Sequence, residues 1–427
     1  MELNEPSAKY LVQGGLQQTE IGPIPLDWQV EPLAKVAEIR SGIAKNVNAV
    51  IADAIEVPYL RVANVQDGYL DLQEISTIRI NREDLRRYSV LPFDVLMNEG
   101  GDIDKLGRGA LWRGQIQPCV HQNHVFVVRC KPALAPQFLS AWSASPPARR
   151  YFLFAGKQTT NLASINKTSL GQLPVAMPRL REEQERIAQA LADADALIAS
   201  LEQLLSKKRQ IKQGAMQELL TGQRRLPGFS DGWTPAKLED LADIRSGGTP
   251  STQKDEFWDG DILWCTPTDI TALNGSKYLA DTHRKITAMG MKACSADLIP
   301  ANSIVMTSRA TIGECAINVT PLCTNQGFKN FVPFSHVDAQ FLYYVLTTQK
   351  AGFISLCGGS TFLEIGKTQL RPYEVSMPPT KDEQTAIATV LSDMDAEITA
   401  LEGRLSKARQ LKQGMAQALL TGRIRLV

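Results

Sequence analysis

Cysteine is present but unpatterned: the seven residues Cys119, Cys130, Cys265, Cys294, Cys315, Cys323 and Cys357 are odd in number and form no CxxC pair. That argues against a disulfide framework and a zinc ribbon, and leaves reduced thiols as the expectation. Histidine is scarce. His121, His124, His283 and His336 share no metal-ligand spacing with cysteines or acids, so no metal site is expected. An excess of one charge is also missing. A net charge of +1, with 21% charged and 44% hydrophobic residues, excludes a disordered chain and a uniformly basic nucleic-acid coat. No run reaches the roughly 18 apolar residues of a membrane span, and the opening MELNEPSAKY lacks the basic and apolar regions of a signal peptide. A soluble, cytoplasmic, unexported protein is expected.

Catalytic signatures are absent as well. The Pro-Pro strings SPPA at 145–148 and MPPT at 377–380 lack the acid or amide and the aromatic of an Asn/Asp-Pro-Pro-aromatic methyltransferase motif, and no FxGxG-type cofactor loop precedes a helix. Gly366-Lys367-Thr368 imitates the end of a phosphate-binding loop, but position 361 is Thr where that loop requires glycine, and Asn166-Lys167-Thr168 is its counterpart. The expectation is a chain with no catalytic residue, no bound cofactor and no metal of its own.

What the chain does have is a long internal repeat. EQERIAQALADADALIASLEQLLSKKRQIKQGAMQELLTG, 183–222, returns 200 positions later as EQTAIATVLSDMDAEITALEGRLSKARQLKQGMAQALLTG, with 24 of 40 positions identical. Apolar residues at Ile187, Leu191, Ala194, Ile198, Leu201 and Leu205, and at Ile387, Leu391, Met394, Ile398, Leu401 and Leu405, alternate four and three apart. That is a heptad seam, so each helix needs a long partner, and the other copy is the obvious one. Lys208 and Lys212 take the next seam positions, and the apolar set resumes at Ile211, Ala215 and Leu219, which predicts a slipped seam. Gly214 and Gly414 sit at the same offset and suggest close backbone approach, because a helix-interior glycine costs about 1 kcal/mol. Thr221-Gly222 and Thr421-Gly422 are expected glycine caps.

The segments in front of the helices also match in order. AEIRSG at 37–42 corresponds to ADIRSG at 242–247, YLRVANV at 59–65 to WCTPTDI at 264–270, VLMN at 95–98 to IVMT at 304–307, and HQNHVFVV at 121–128 to TNQGFKNFV at 324–332. These are strand-like runs between Gly, Pro and Asp turns. INKTSLGQLPVAMP at 165–178 matches IGKTQLRPYEVSMP at 365–378. The chain after the first helix, GQRRLPGFSDGW, resembles the opening TEIGPIPLDW, whereas the second helix stops at GRIRLV. The N-terminus thus reads as the missing continuation of the C-terminus, and if the ends meet the molecule closes into a quasi-two-fold ring. The domain expectation is a lead-in at 1–27, a globular domain at 28–178, a helix region at 179–225, a second globular domain at 226–378 and a second helix region at 379–427.

These features carry a resemblance covering essentially the whole chain. The helix starts MPRLREEQERIA and MPPTKDEQTAIA, the KQG...LLTG helix ends and the run SGGTPST...FWDGDILW at 246–264 resemble the specificity subunit of a Type I restriction-modification system. The resemblance implies an α+β chain with two target recognition domains separated by two long antiparallel coiled-coil helices. It implies DNA recognition without catalysis, each domain taking one half of a split double-stranded DNA target. Two methyltransferase subunits would dock on the helices, joined by restriction/translocase subunits. S-adenosylmethionine, ATP and Mg would belong to those partners.

DNA contacts need basic and amide side chains on loops, because phosphates take Arg and Lys and base edges take Arg, Lys, Asn and Gln. The candidates are Arg40, Ser41, Lys45, Arg61, Asn64, Lys105, Arg108, Arg113, Gln122 and Asn123 in the first domain, and Arg245, Ser246, Thr249, Thr252, Lys254, Thr268, Arg309, Asn325, Gln326 and Lys329 in the second. Matched residues such as Arg40 and Arg245 suit phosphate grip better than discrimination. From Trp28 to Pro178 there are 17 basic and 13 acidic residues, and from Trp233 to Pro378 there are 12 and 14, so the second domain needs a local patch. For partners, the repeated polar residues Glu183, Gln184, Lys212, Gln213, Glu383, Gln384, Lys412 and Gln413 are expected to face two identical subunits. Solvated surface explains any single polar residue equally well. The competing functions are a standalone DNA-modifying or cleaving enzyme with degenerate motifs and a coiled-coil scaffold.

Overall fold

The computed structural model describes residues 15–44, 53–101, 106–107, 109–158, 163–357 and 363–426. They fall into two compact units, Met1–Glu202 with Gly403–Val427 and Gln203–Glu402. In the first unit Val95–Asn98, buried at every position, is an interior strand. It lies in a four-stranded antiparallel sheet in the order Ala37–Arg40, Val125–Cys130, Val95–Asn98, Gly109–Leu111. A second sheet orders Val120–His121, Ile55–Leu60, Ser76–Ile80, with Val120 parallel to Tyr59.

The second unit repeats this plan strand for strand. Its sheet runs Ala242–Ser246, Phe328–Pro333, Ile304–Thr307, Cys315–Asn318 and adds Tyr278–Leu279 at the edge. Its three-stranded sheet runs Arg284–Ile286, Trp258–Cys265, Leu322–Thr324, again with one parallel pair. All four matched segment pairs of the sequence therefore occupy the same places in the two units.

The repeated segments form two helices of 39 residues, Arg181–Leu219 and Lys381–Leu419. In the first unit the start of one helix lies antiparallel to the end of the other, with Glu202 bound to Arg409 at 2.6 Å and Asp195 to Lys412 at 2.5 Å. The second unit has the same pairs with the roles exchanged, Glu402 to Arg209 at 2.6 Å and Asp395 to Lys212. The heptad residues Ile187, Leu191, Leu201 and Leu205 are buried, as are Ile387, Leu391, Leu401 and Leu405. Each helix half also enters a domain core: Ile187, Leu191, Leu419 and Leu420 pack with Trp28, Phe138 and Trp142, and Leu219, Leu220, Ile387 and Leu391 with Phe331, Phe341 and Phe353.

Two expectations about the helices are corrected. The seam does not slip: Lys208 and Lys212 stay half-buried on it, paired with Glu397 and Asp395, and Ile211 is left 47% exposed. Long lysine stems can cover an apolar seam while their ammonium groups reach carboxylates on the facing helix. Gly214 and Gly414 mark no close approach within the chain, since a Cβ at either would meet nothing within 4 Å. The caps are as expected, Gly222 and Gly422 standing at φ +72° and +71°.

The chain ends meet in the first unit. Arg425 binds Asp27 through two bonds of 2.8 and 2.6 Å and Glu183 through two of 2.6 and 2.8 Å. In the second unit Arg225 holds Glu383 at 2.7 and 2.8 Å beside Trp233, on continuous chain. Arg425 and Asp27 are 398 positions apart at one joint, whereas Arg225 and Asp231 are 6 apart at the other, as a permuted repeat requires.

Candidate nucleic-acid interface

The polar candidates converge where the strand carrying Ile-Arg-Ser-Gly crosses the loop that leads into the neighbouring strand. Glycine makes the crossing possible. A Cβ on Gly42 would lie 2.2 Å from the His121 carbonyl oxygen and 2.4 Å from that of Gln122, and on Gly247 it would lie 2.0 and 2.3 Å from those of Asn325 and Thr324. Any side chain there would push the two segments apart. Backbone bonds secure the contact: Ile43 N–H to His121 O at 2.9 Å and Asn123 N–H to Ile43 O at 3.0 Å, and in the second domain Gly248 N–H to Thr324 O at 2.9 Å. The third segment joins through Gln122 N–H to Leu60 O at 2.8 Å and Asn325 N–H to Cys265 O at 3.0 Å.

One aromatic pins the strand after each glycine. Tyr59 Oη donates to Ile43 O at 2.9 Å, and Trp264 Nε1 donates to Gly248 O at 3.0 Å. The matched arginines are oriented alike, Arg40 by Glu38 at 2.9 Å and Arg245 by Asp243 at 2.8 Å. The Arg40 guanidinium holds the Glu38 carboxyl below its usual range. His121 is buried in the crossing with Nδ1 2.6 Å from Val125 O, and burial pushes its pKa down to about 4, so its ring is neutral near pH 7.

The crossing thus brings Arg40, Ser41, Gln122 and Asn123 together in the first domain, with Arg61 following Leu60. In the second it gathers Arg245, Ser246, Asn325 and Gln326, with Thr249 Oγ1 donating to Gln326. Arg309 follows Ser308, whose N–H bonds Gly327 O at 2.7 Å, and its guanidinium holds Glu364 at 2.9 Å. Thr252 and Lys254 are exposed on the adjoining loop, and Thr268 is exposed on the short helix Pro267–Ala272.

Two DNA-contact candidates are corrected, and a third, the exposed Arg113, lies away from the crossing. Asn64 is buried; it accepts from Arg61 N–H and donates to Asp71 O and Glu74 O, each at 2.9 Å. It caps a turn, as Asp269 does for Thr266 at 2.7 Å. Lys329 is 5% exposed, its ammonium on Phe328 O and Ser308 Oγ, and burial pushes its pKa down. Arg113 follows the strand whose Leu111 pairs with Val95, three positions or about 10 Å from the Asn98 end where the crossing lies. Lys45, Lys105 and Arg108 lie outside the described residues.

The partner candidates divide similarly. Glu183 and Glu383 are buried on Arg425 and Arg225. Gln184 is buried with Ala135 N–H, Ala133 O and Pro178 O at 2.8, 3.0 and 2.8 Å. Gln384 is buried on Asp338 N–H at 2.8 Å. These four are buried and hold each helix start within its own unit, not on an exposed face. Lys212 and Lys412 are spent between helices, whereas Gln213 and Gln413 are exposed.

Sequence reasoning missed Arg284, Trp258 and Trp264. The Arg284 guanidinium lies 3.6 Å from the Trp258 ring centre. The available signal was the tryptophan-rich strand 258–264, with a basic residue on the strand expected to pair with it.

Two domains of one topology, each presenting polar side chains at a glycine-built crossing and seated on halves of the same two helices, define a duplicated binding protein. The chain belongs to the Type I restriction modification DNA specificity domain family, whose model matches residues 25–213 and 230–409. It is similar to the putative type I restriction enzyme MjaX specificity subunit of Methanocaldococcus jannaschii, 25% identical over 434 residues covering 98% of both chains. It is also similar to the MjaIX specificity subunit of that organism, 40% identical over 165 residues covering 38% of each. Among solved structures, the S subunit from M. genitalium shares the fold with a TM-score of 0.56 at 12% identity, covering 92% of this chain and 96% of its own. A chain from a study of complex assembly and conformational transition of the type I R-M system gives 0.58 at 16% identity over 94% and 99%.

Proposed function

We propose that this specificity subunit recognises an asymmetric, split DNA target, one half per domain, and docks two methyltransferase subunits on its helices, with restriction subunits joining through them. The observation that carries the reading is the pair of glycine-built crossings. Gly42 and Gly247 build the same frame, with Arg40-Ser41 and Arg245-Ser246 on it in both, while Gln122-Asn123 in the first domain stand where Asn325-Gln326 stand in the second. Equal residues suit phosphate, which is the same everywhere on DNA, and unequal ones suit bases.

The docking surface lies on the outer helix faces. Ile211 and Leu411 are 47% and 58% exposed, recur at an offset of 200, and share a helix face with the open Gly214 and Gly414 three positions on. Two copies of one partner would meet the same surface twice. Methyl transfer from S-adenosylmethionine and ATP- and Mg-dependent steps belong to those partners in this reading, in the cytoplasm, and this chain supplies binding alone. The test is co-expression with the cognate methyltransferase subunits followed by genome-wide mapping of methylated adenines. A split, non-palindromic motif and a two-plus-one complex mass are expected. A palindromic or uninterrupted motif refutes the reading.

A further inference from the structure

We infer that Arg284 is a specificity-determining residue of the second domain, reading a guanine in the half-site which that domain recognises; the inference rests on the split-target reading above. Strand Arg284–Ile286 pairs antiparallel with Trp258–Cys265, placing Arg284 opposite Trp264. Its guanidinium carbon is 3.6 Å from the ring centre of Trp258 and 5.5 Å from that of Trp264. The two indoles meet edge to face at 5.0 Å. Both are buried, whereas Arg284 is exposed. Among the described residues Arg284 forms no ion pair, the nearby Asp281 being 3.7 Å from Lys285.

Stacking of this kind fixes the plane of the guanidinium and leaves its N–H donors at the rim unspent. A planar fork held in advance loses less freedom on binding, and the fork matches O6 and N7 of guanine in the major groove. The same indoles tie it to the interface. Trp264 Nε1 donates to Gly248 O at 3.0 Å and Trp258 Nε1 to Ser251 O at 3.1 Å, which anchors the loop carrying Thr249, Thr252 and Lys254.

The first domain lacks this device at the matching place. There Tyr59 does the pinning that Trp264 does, and the residue opposite Tyr59 is Ser76. Arg284 therefore stands where the two domains share a frame and differ in side chain. Half-sites of different sequence have to be told apart at such positions.

The experiment uses the full chain assembled with its methyltransferase subunits, as parent, Arg284→Ala and Arg284→Lys, binding a library of single-base variants of the mapped target. Both variants should lose preference for guanine at one position of the second domain's half-site by about 5- to 150-fold, with the other half-site unchanged and melting temperature retained. Lysine keeps the charge and removes the fork, so its failure to restore the preference identifies base reading. Full preference in Arg284→Lys overturns the inference. So does a uniform loss over all sequences with a shallower salt dependence, the mark of a phosphate contact, or no change at all. A parent complex with no split target overturns the underlying reading, and the inference with it, before any variant is compared.

Discussion

Arg425→Ala should destabilise the first unit more than the matching Arg225→Ala destabilises the second. The Arg425 guanidinium is the charge partner of Glu183, whose side chain is 2% exposed, through bonds of 2.6 and 2.8 Å, and it also holds Asp27. Truncation leaves Glu183 buried without a cation, and an orphaned buried charge of this kind costs about 3–5 kcal/mol. At the second joint Glu383 is 1% exposed, but Trp233 Nε1 still donates to it at 3.2 Å when Arg225 is removed. A hydrogen bond to a charged acceptor contributes about 1.5–3 kcal/mol, so the retained bond should make that loss smaller by up to this amount. Urea unfolding of the full chain, followed by tryptophan fluorescence and far-ultraviolet circular dichroism, measures both. Arg425→Ala should lower the earlier part of the transition while leaving the rest in place. The pair Arg425→Met with Glu183→Leu should recover most of the loss, because apolar replacement removes the orphan charge. A loss under about 1 kcal/mol in Arg425→Ala would refute the reasoning, and so would a double variant no better than the single one.

The remaining predictions are these. Because burial lowers the His121 pKa to about 4 against about 6.5 in an unfolded chain, its contribution to stability is complete above pH 6.5. It is lost as pH falls from 6.5 to 4, by roughly 3 kcal/mol; a His121 ring seen by NMR to titrate near 6.5 would contradict this. Gly42→Ala and Gly247→Ala should each cost about 1–3 kcal/mol and abolish recognition of one half-site, read by methylation mapping. Gly214→Ala and Gly414→Ala should stabilise the free chain by up to about 1 kcal/mol, and should weaken methyltransferase capture if the partner approaches there, which complex mass reports. Each helix of 39 residues spans about 58 Å, so a matched heptad inserted after Leu205 and after Leu405 should lengthen the unread gap between half-sites, with both halves unchanged in the mapped motif.

The duplicated frame was legible in the sequence because periodicity and repetition are properties of one dimension. The heptad residues from Ile187 to Leu205 follow from spacing, and the matched strands and permuted ends from repetition. Composition could not decide which repeated polar residues face outward. Glu183 and Gln184 recur for the same statistical reason as Gln213, yet two of them are locked inside a joint and one is in water. That difference depends on Arg425 and Ala135, which the fold brings in from 242 and 49 positions away. The slipped seam failed for a related reason, since a lysine reads as polar in sequence but its stem packs as apolar once Asp395 stands across the helix pair to take its charge. Likewise Arg284 became a candidate only when strand pairing set it against Trp258 and Trp264. Side-chain periodicity is fixed by the local backbone, whereas burial, ion pairing and stacking depend on what the tertiary fold places opposite.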